Sequence, residues 1–271
     1  RRGAAVRAVV ADGVVVRYGD VEAVRGASFA VEAGEVFGLL GPNGAGKTSV
    51  LRVLTTLVRA ASGHAWVLGH EVAAEPAVVR RVIGYVPQAV SADGSLTGRE
   101  NVLLFARLYN LPRAERRPRV DEVLDRMGLA DAAGRLARTY SGGMLRRLEI
   151  ACGLLHQPRV LFLDEPTVGL DPAARRRVWE HLHELQEASG TTLVVTTHAM
   201  EEAEQHCARV AVMAAGRVLA EGTLPDLRAA SGRPGGNLES VFLHLVAGGG
   251  EDPRGGIREI ARRRRTARRL G

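Results

Sequence analysis

Residues 41–48 read Gly-Pro-Asn-Gly-Ala-Gly-Lys-Thr, and this octapeptide restricts the fold more than any other stretch of the chain. It fits G-x-x-x-x-G-K-[ST], a pattern with mechanical meaning only between a strand and a helix. The apolar run Val36–Leu40 enters it, and a helical pattern, Lys47–Leu57, leaves it. Glycines let the backbone amides converge on an anion, and the helix N-terminus adds the positive end of its dipole. The expected nucleotide contacts are Gly41, Pro42, Asn43 and Gly44, then Ala45, Gly46, Lys47 and Thr48, with Ser49 beyond them. In such a loop the lysine reaches the β and γ phosphates and the Thr48 hydroxyl takes Mg²⁺. Composition supports this. Of 37 basic residues only Lys47 is lysine; the rest are arginine. A compact ammonium, not a planar guanidinium, suits a tight phosphate loop.

The remaining pattern predicts α/β architecture. Apolar, β-branched runs predict strands at Val14–Arg17, Ala27–Val31, Val36–Leu40, Ala65–Leu68, Val82–Val86, Val160–Leu163 and Leu193–Thr196. Helical patterns alternate with them: Lys47–Leu57, one long stretch from Thr97 to about Leu136, Leu145–Leu155 and Pro172–Ala188. Alternation argues for a mainly parallel sheet. No strand pattern occurs in 97–158, which predicts a helical subdomain inserted into the core. After Thr196 a short helix is expected, then an antiparallel hairpin from Val210–Met213 and Val218–Ala220. The expected domains are 6–230 as the nucleotide-binding body, 231–247 as a linker with the short amphipathic helix Leu238–Val246, and 248–271 as a flexible Arg-rich tail.

Two further features carry chemistry. Val160–Leu163 is an apolar strand that runs into Asp164 and Glu165. Parallel α/β sheets bind ligands at the carboxyl ends of their strands. Asp164 is therefore expected to orient Mg²⁺ and its waters, and Glu165 to polarise the attacking water. Ser141-Gly142-Gly143-Met144 opens the helix Leu145–Leu155 with a capping serine and exposed amides, a second helix N-terminus suited to an anion. The first loop already cradles one nucleotide, so the economical reading gives this second site to the nucleotide of another copy, with two copies head to tail.

Composition excludes other classes. No apolar run reaches the ~20 residues of a membrane helix, and the N-terminus lacks a secretory pattern. The expectation is a chain that neither spans a membrane nor enters a secretory route. Cys152 and Cys207 lie far apart in no metal-ligand spacing, as buried apolar thiols would. His181 and His183 point to different helix faces. Net charge is +7, but 246–271 hold eight Arg against three acids, leaving +2 for 1–245. Arg262–Arg265 read either as a solvated tail or as a contact for anionic lipid headgroups; without interleaved aromatics, nucleic acid is not expected. Arg146, Arg147 and Glu149 read as a charged helix face.

Taken together, the motifs resemble those of ATP-binding subunits of ABC transporters, over about residues 6–245. Residues 41–48 look like the Walker A loop, Asp164 and Glu165 like the end of Walker B, Ser141–Met144 like the signature, and Gly169-Leu170-Asp171-Pro172 like the D-loop. The resemblance implies that Tyr18 stacks on adenine, that Gln88 is the Q-loop glutamine touching Mg²⁺ and water, and that His198 is the switch histidine at the γ-phosphate. It also implies catalysis by Glu165 with Lys47, Gln88 and His198. Nucleotide would lie against Ser141, Gly142 and Gly143 of a second copy, with Mg²⁺ at Thr48, Gln88 and Asp164. Tyr140 stands where Leu is usual and Met144 where Gln is usual. With Leu148-Glu149-Ile150-Ala151 and the ending Leu238–Leu243, these departures resemble the daunorubicin-resistance-type branch of ABC-2 exporters.

That resemblance implies an α/β P-loop NTPase core with an antiparallel β element and an inserted helical subdomain. It implies ATP and Mg²⁺ as ligands, a homodimer, a separate ABC-2-type permease, and a position on the cytoplasmic face of the membrane. The cargo would be drug-like, antibiotic or lipid-like. Two rivals lack support in the residues. Ribosome-associated ATPases of this type usually carry two such domains, and DNA-repair members a long coiled coil. A small-molecule kinase would need neither Ser141–Gly143 nor His198.

Overall fold

The computed structural model describes residues 7–231 and 235–248; the expected tail, Arg262–Arg265 included, and part of the expected linker at Ser231–Gly236 lie outside them. Ten strands and nine α-helices are present among the described residues. β1 (Arg7–Tyr18) and β2 (Val21–Glu32) form a long antiparallel pair, followed by β3 (Val36–Leu40), α1 (Lys47–Leu54), β4 (Ser62–Val67) and the short β5 (His70–Glu71). Then come α2 (Pro76–Val82), β6 (Ile83–Val86), α3 (Gly98–Leu108), α4 (Arg113–Arg126), α5 (Gly142–Leu154), β7 (Val160–Asp164) and α6 (Pro172–Ser189). β8 (Thr192–Thr197), α7 (Met200–His206), β9 (Arg209–Ala214), β10 (Arg217–Gly222), α8 (Leu224–Ala230) and α9 (Leu238–Gly248) complete the order.

A six-stranded sheet runs β10-β9-β3-β8-β7-β6, parallel except for the antiparallel edge strand β10. The antiparallel element is larger than the expected hairpin, because β2-β1-β4-β5 form a separate antiparallel sheet. The parallel strands are buried on both faces and so read as continuous apolar runs. Their side chains alternate. Phe37, Leu39, Phe162 and Val194 face α1 and the antiparallel sheet. Val36, Leu161, Leu163, Leu193 and Val195 face the helices α3 to α6. A third apolar cluster seats α7, α8 and α9, with Leu238, Val241 and Phe242 of α9 buried and Leu243 exposed.

The helical insertion is present, but the single long stretch from Thr97 to about Leu136 is divided. Thr97 starts α3 with a capping box closed by Glu100. Asn110, at φ 54°, and Pro112 end it. A residue before proline leaves the helical region, and Asn tolerates the left-handed turn. Gly128, at φ 61°, closes the turn after α4, and the chain to Leu136 holds only short 3₁₀ turns and loop. Pro76–Val82, to which the sequence pattern assigns no element except Val82 as the first residue of a strand, is a helix. Its proline occupies the first helical position, where no amide bond is lost.

The remaining sequence readings are resolved by packing. Cys152 and Cys207 are free thiols; burial pushes both up, Cys207 to about 12. His181 and His183 diverge: the first meets Glu184, the second hydrogen-bonds His206 at 3.0 Å.

Candidate active site

Sheet register brings the motif residues to one edge. Leu40 pairs with Thr197, Asp164 with Thr196 and Val86 with Leu163, so the loops that follow β3, β6, β7 and β8 emerge side by side. The octapeptide turns tightly between β3 and α1. A Cβ on Gly41 would lie 2.2 Å from the carbonyl oxygen of Met213 in β9, so only glycine fits against that strand. Gly46 has φ 98° and caps α1 in the left-handed region, with a Cβ position 2.7 Å from Ala23 O. Pro42, Asn43 and Gly44 are exposed, Ala45 is buried, and Thr48 and Ser49 are half-buried at the helix start.

Lys47 is 4% exposed. Its Nζ donates to Gly41 O at 2.7 Å and Pro42 O at 3.1 Å, and stands 3.3 Å from Glu165 Oε1. Glu165 is 7% exposed and itself has φ 46°, an uncommon backbone for a non-glycine residue. Its amide donates to Thr196 Oγ1 at 2.9 Å and Thr196 O at 3.2 Å. Its other carboxylate oxygen faces Gln88 Nε2 at 3.4 Å and His198 Nδ1 at 3.2 Å. Asp164, 1% exposed, accepts from Thr48 Oγ1 at 3.0 Å and Thr196 Oγ1 at 2.6 Å. The ammonium beside Glu165 and the hydroxyls on Asp164 compensate two carboxylates that burial alone would disfavour. Asp164 also acts on its neighbourhood: burial first, then its charge, raises the pKa of Tyr85.

Six expected residues therefore converge: Lys47, Thr48, Gln88, Asp164, Glu165 and His198. Tyr18 lies at the end of β1, 40% exposed, and its hydroxyl is the main cause that raises the pKa of Arg52 in α1. An exposed ring there is accessible for stacking. Ser141, Gly142 and Gly143 stand elsewhere. Ser141 caps α5 by accepting from Met144 N at 3.3 Å. A Cβ on Gly143 would fall 2.7 Å from Ala174 Cβ of α6. Among the described residues no hydrogen bond or ion pair joins these three to the loop at 41–48, and Ser141 and Gly142 are exposed. Asp171 caps α6, and the amides of Ala174 and Ala173 hold its carboxyl below the usual range.

One sequence reading is overturned. Arg146 and Glu149 do not form a charged face; they are 6% and 4% exposed. The guanidinium donates to Pro87 O at 2.6 Å, Asp164 O at 2.8 Å, Pro166 O at 2.9 Å and Glu149 Oε2 at 3.1 Å. Arg147 alone reaches outward, to Met127 O at 2.9 Å at the end of α4. Two site features had no signal of their own in the sequence. Thr196 orients Asp164 and Glu165, yet a threonine in a strand reads as an ordinary β former. Thr167 donates to Glu202 of α7 at 2.7 Å, tying the segment after Glu165 to the next helix.

Comparison with known proteins places the chain in a family. The sequence profile of the ABC transporter family matches residues 24–168. A daunorubicin resistance ATP-binding protein of Streptomyces coeruleorubidus is 48% identical over 83% of this chain and 71% of its own length. The daunorubicin/doxorubicin resistance ATP-binding protein of Streptomyces peucetius is 47% identical over 88% of this chain and 71% of its own. Among solved structures, a dimeric ATP-binding cassette in a post-hydrolysis state bound to ADP and Pi superposes with a TM-score of 0.71 at 28% identity, covering 80% of this chain and 98% of that one.

Proposed function

The chain belongs to the ABC transporter family as an ATP-binding, ATP-hydrolysing subunit, and from that premise we propose the roles of its residues, its partners and its cargo class. The observation that carries the proposal is the convergence of Lys47, Thr48, Gln88, Asp164, Glu165 and His198 at one sheet edge. The loop at 41–49 holds the phosphates, and Tyr18 stacks on adenine. Glu165 accepts the proton of the attacking water, whose oxygen bonds the γ-phosphorus as the bond to the ADP oxygen breaks. Lys47 offsets charge on the β and γ phosphates, while Gln88 positions the water and His198 holds the γ-phosphate.

Mg²⁺ fits the donor set: Thr48 Oγ1 and Asp164 Oδ1 lie 3.0 Å apart, both hard oxygen donors of the type this ion takes. Thr48, Asp164 and the Gln88 side chain would hold it. When bound, it neutralises charge on the phosphate oxygens.

Ser141, Gly142 and Gly143 serve the nucleotide of a second copy, since among the described residues no hydrogen bond or ion pair joins them to this chain's own loop and Ser141 and Gly142 are exposed. ATP then joins two subunits and its hydrolysis releases them. We assign 6–230 to the ATP-binding domain, with its helical subdomain at about 97–158; 231–247 to a linker and short helix; and 248–271 to an Arg-rich tail. No helix among the described residues is long and apolar enough to cross a membrane. A separate ABC-2-type permease converts closure into export of a drug-like, antibiotic or lipid-like compound, and holds the subunit at the cytoplasmic face. The drug-resistance names of the relatives support the cargo class. Basic residues of the tail add attraction to anionic headgroups, about 1 kcal/mol each near the surface.

The test is the mass in solution of Glu165→Gln with and without MgATP. A dimer only with MgATP is the expected result. A variant that binds MgATP and stays monomeric refutes the assignment of Ser141–Gly143 to a partner's nucleotide.

A further inference from the structure

The pair Arg146–Glu149 has no part in the roles assigned above, yet it is the most heavily bonded side-chain cluster beside the site. Arg146 belongs to α5, the helix that Ser141 opens. Its guanidinium binds the carbonyls of Asp164 and Pro166, which flank Glu165, at 2.8 and 2.9 Å. It also binds the carbonyl of Pro87, which directly precedes Gln88, at 2.6 Å. Glu149, one turn on, accepts from the Ser91 amide at 2.5 Å and the Ser91 hydroxyl at 3.2 Å. The loop carrying Gln88 is thus fastened to α5 at both ends, Pro87 and Ser91. Between these points Gln88, Ala89 and Val90 are exposed. One side chain also holds the peptide link before Glu165 and the one after Pro166, on either side of a glutamate whose φ of 46° needs external support.

We propose that Arg146 and Glu149 are a positioning pair, which fixes Gln88 and Glu165 relative to each other and to the helix that begins at Ser141. Hydrolysis then depends on two residues that touch neither nucleotide nor water. The inference rests on the reading of Glu165 as the base and Gln88 as its helper. A solvated charge pair at this spacing would do nothing of the kind. Burial distinguishes this one: four backbone groups and one hydroxyl, from two segments far apart in the chain, converge on two charges. The guanidinium fork suits the task because its donors diverge in one plane.

The test uses the full chain and the double substitution R146M/E149L, because a buried ion pair can often be exchanged for apolar residues without loss of stability. Two readouts are needed. The first is the mobility of a nitroxide label at Val90→Cys, a position 61% exposed; Cys152 is buried, and the same chain with Val90 in place, labelled in parallel, accounts for any label at the half-buried Cys207. The second is the split between kcat and KM for ATP. The expected result is a more mobile label, kcat at least tenfold lower and KM within twofold. An unchanged label, or kcat within twofold of the parent, overturns the proposal. Should the double variant not fold, Glu149→Gln decides in its place; it keeps an acceptor for Ser91 and removes the charge, with a smaller loss of kcat at constant KM expected and none refuting. A parent chain without ATPase activity would instead count against the reading of Glu165, and the label would still report on the tether.

Discussion

Thr196 offers the sharpest test of how the site is held. It is fully buried and its hydroxyl both donates to Asp164 Oδ1 at 2.6 Å and accepts from the Glu165 amide at 2.9 Å. Thr196→Val keeps the shape and removes both bonds. A hydrogen bond to a buried carboxylate contributes about 1.5–3 kcal/mol. The second bond is cheaper to lose, about 0.5–1 kcal/mol, because the Glu165 amide still finds Thr196 O at 3.2 Å. The added methyl offsets less than about 1 kcal/mol. The net expectation is a loss of about 2–3 kcal/mol, or roughly 4–12 °C in thermal midpoint for a chain of this size. Asp164 retains Thr48 at 3.0 Å, so kcat is expected to fall about tenfold, equivalent to about 1.4 kcal/mol of barrier. Thr196→Ser, which keeps the hydroxyl and loses a methyl, is expected to cost about 1 kcal/mol and leave kcat nearly intact. Thermal unfolding and steady-state ATPase assays on both variants give the ranking. If Thr196→Val is as stable as Thr196→Ser and equally active, the hydroxyl is not what orients the two carboxylates.

Two other predictions follow from packing. Gly41→Ala places a Cβ 2.2 Å from a backbone oxygen of β9, which has no room to retreat; a loss of about 1–3 kcal/mol and weaker ATP binding are expected, and an unchanged thermal midpoint refutes the steric argument. His206 packs on Trp179 with ring centroids 4.2 Å apart and hydrogen-bonds His183; burial first, then the charge of His183, lowers its pKa from 6.5 to about 4. The unfolded chain therefore takes up this proton first, so stability is full above pH 6.5, falls as pH drops towards 4 and levels off below. The side chain is half-exposed, so the effect is discounted to about 1–2 kcal/mol. Urea unfolding at about pH 7, 5.5 and 4.5 is expected to show this drop in the parent and a smaller one in His206→Phe; parallel curves would rule it out.

The parts of the fold that were legible are those in which a local pattern and a long-range need coincide. The loop at 41–48 needs a strand before it and a helix after it, and both periodicities are written beside it. Asp164 and Glu165 stood out because two carboxylates interrupt an apolar run. The helix α2 was obscured because Val78, Val79 and Val82 are β-branched and merge with the strand that follows; only Pro76 marks a helical start. Arg146 and Glu149 were misread for a deeper reason. Their spacing is that of a solvated helical pair, and what buries them lies 18 to 59 residues away in the chain, at Pro87, Ser91, Asp164 and Pro166. No window along the sequence contains that fact.

The basic residues show why one of these features was visible and the other was not. Lys47 is surrounded by two carbonyls and one carboxylate oxygen, matching the three donors of an ammonium. A guanidinium would bring five donors on a planar fork, leaving some unmet in a site only 4% exposed, at the cost of unsatisfied buried hydrogen bonds. Arg146 presents the opposite requirement, four acceptors from separate segments spread around one plane, which a lysine's three donors cannot meet. Both positions are therefore constrained by the geometry of their acceptors. In a chain whose 37 basic residues include a single lysine, the constraint at Lys47 opposes the compositional bias and can be seen, whereas the constraint at Arg146 agrees with the bias and is hidden by it.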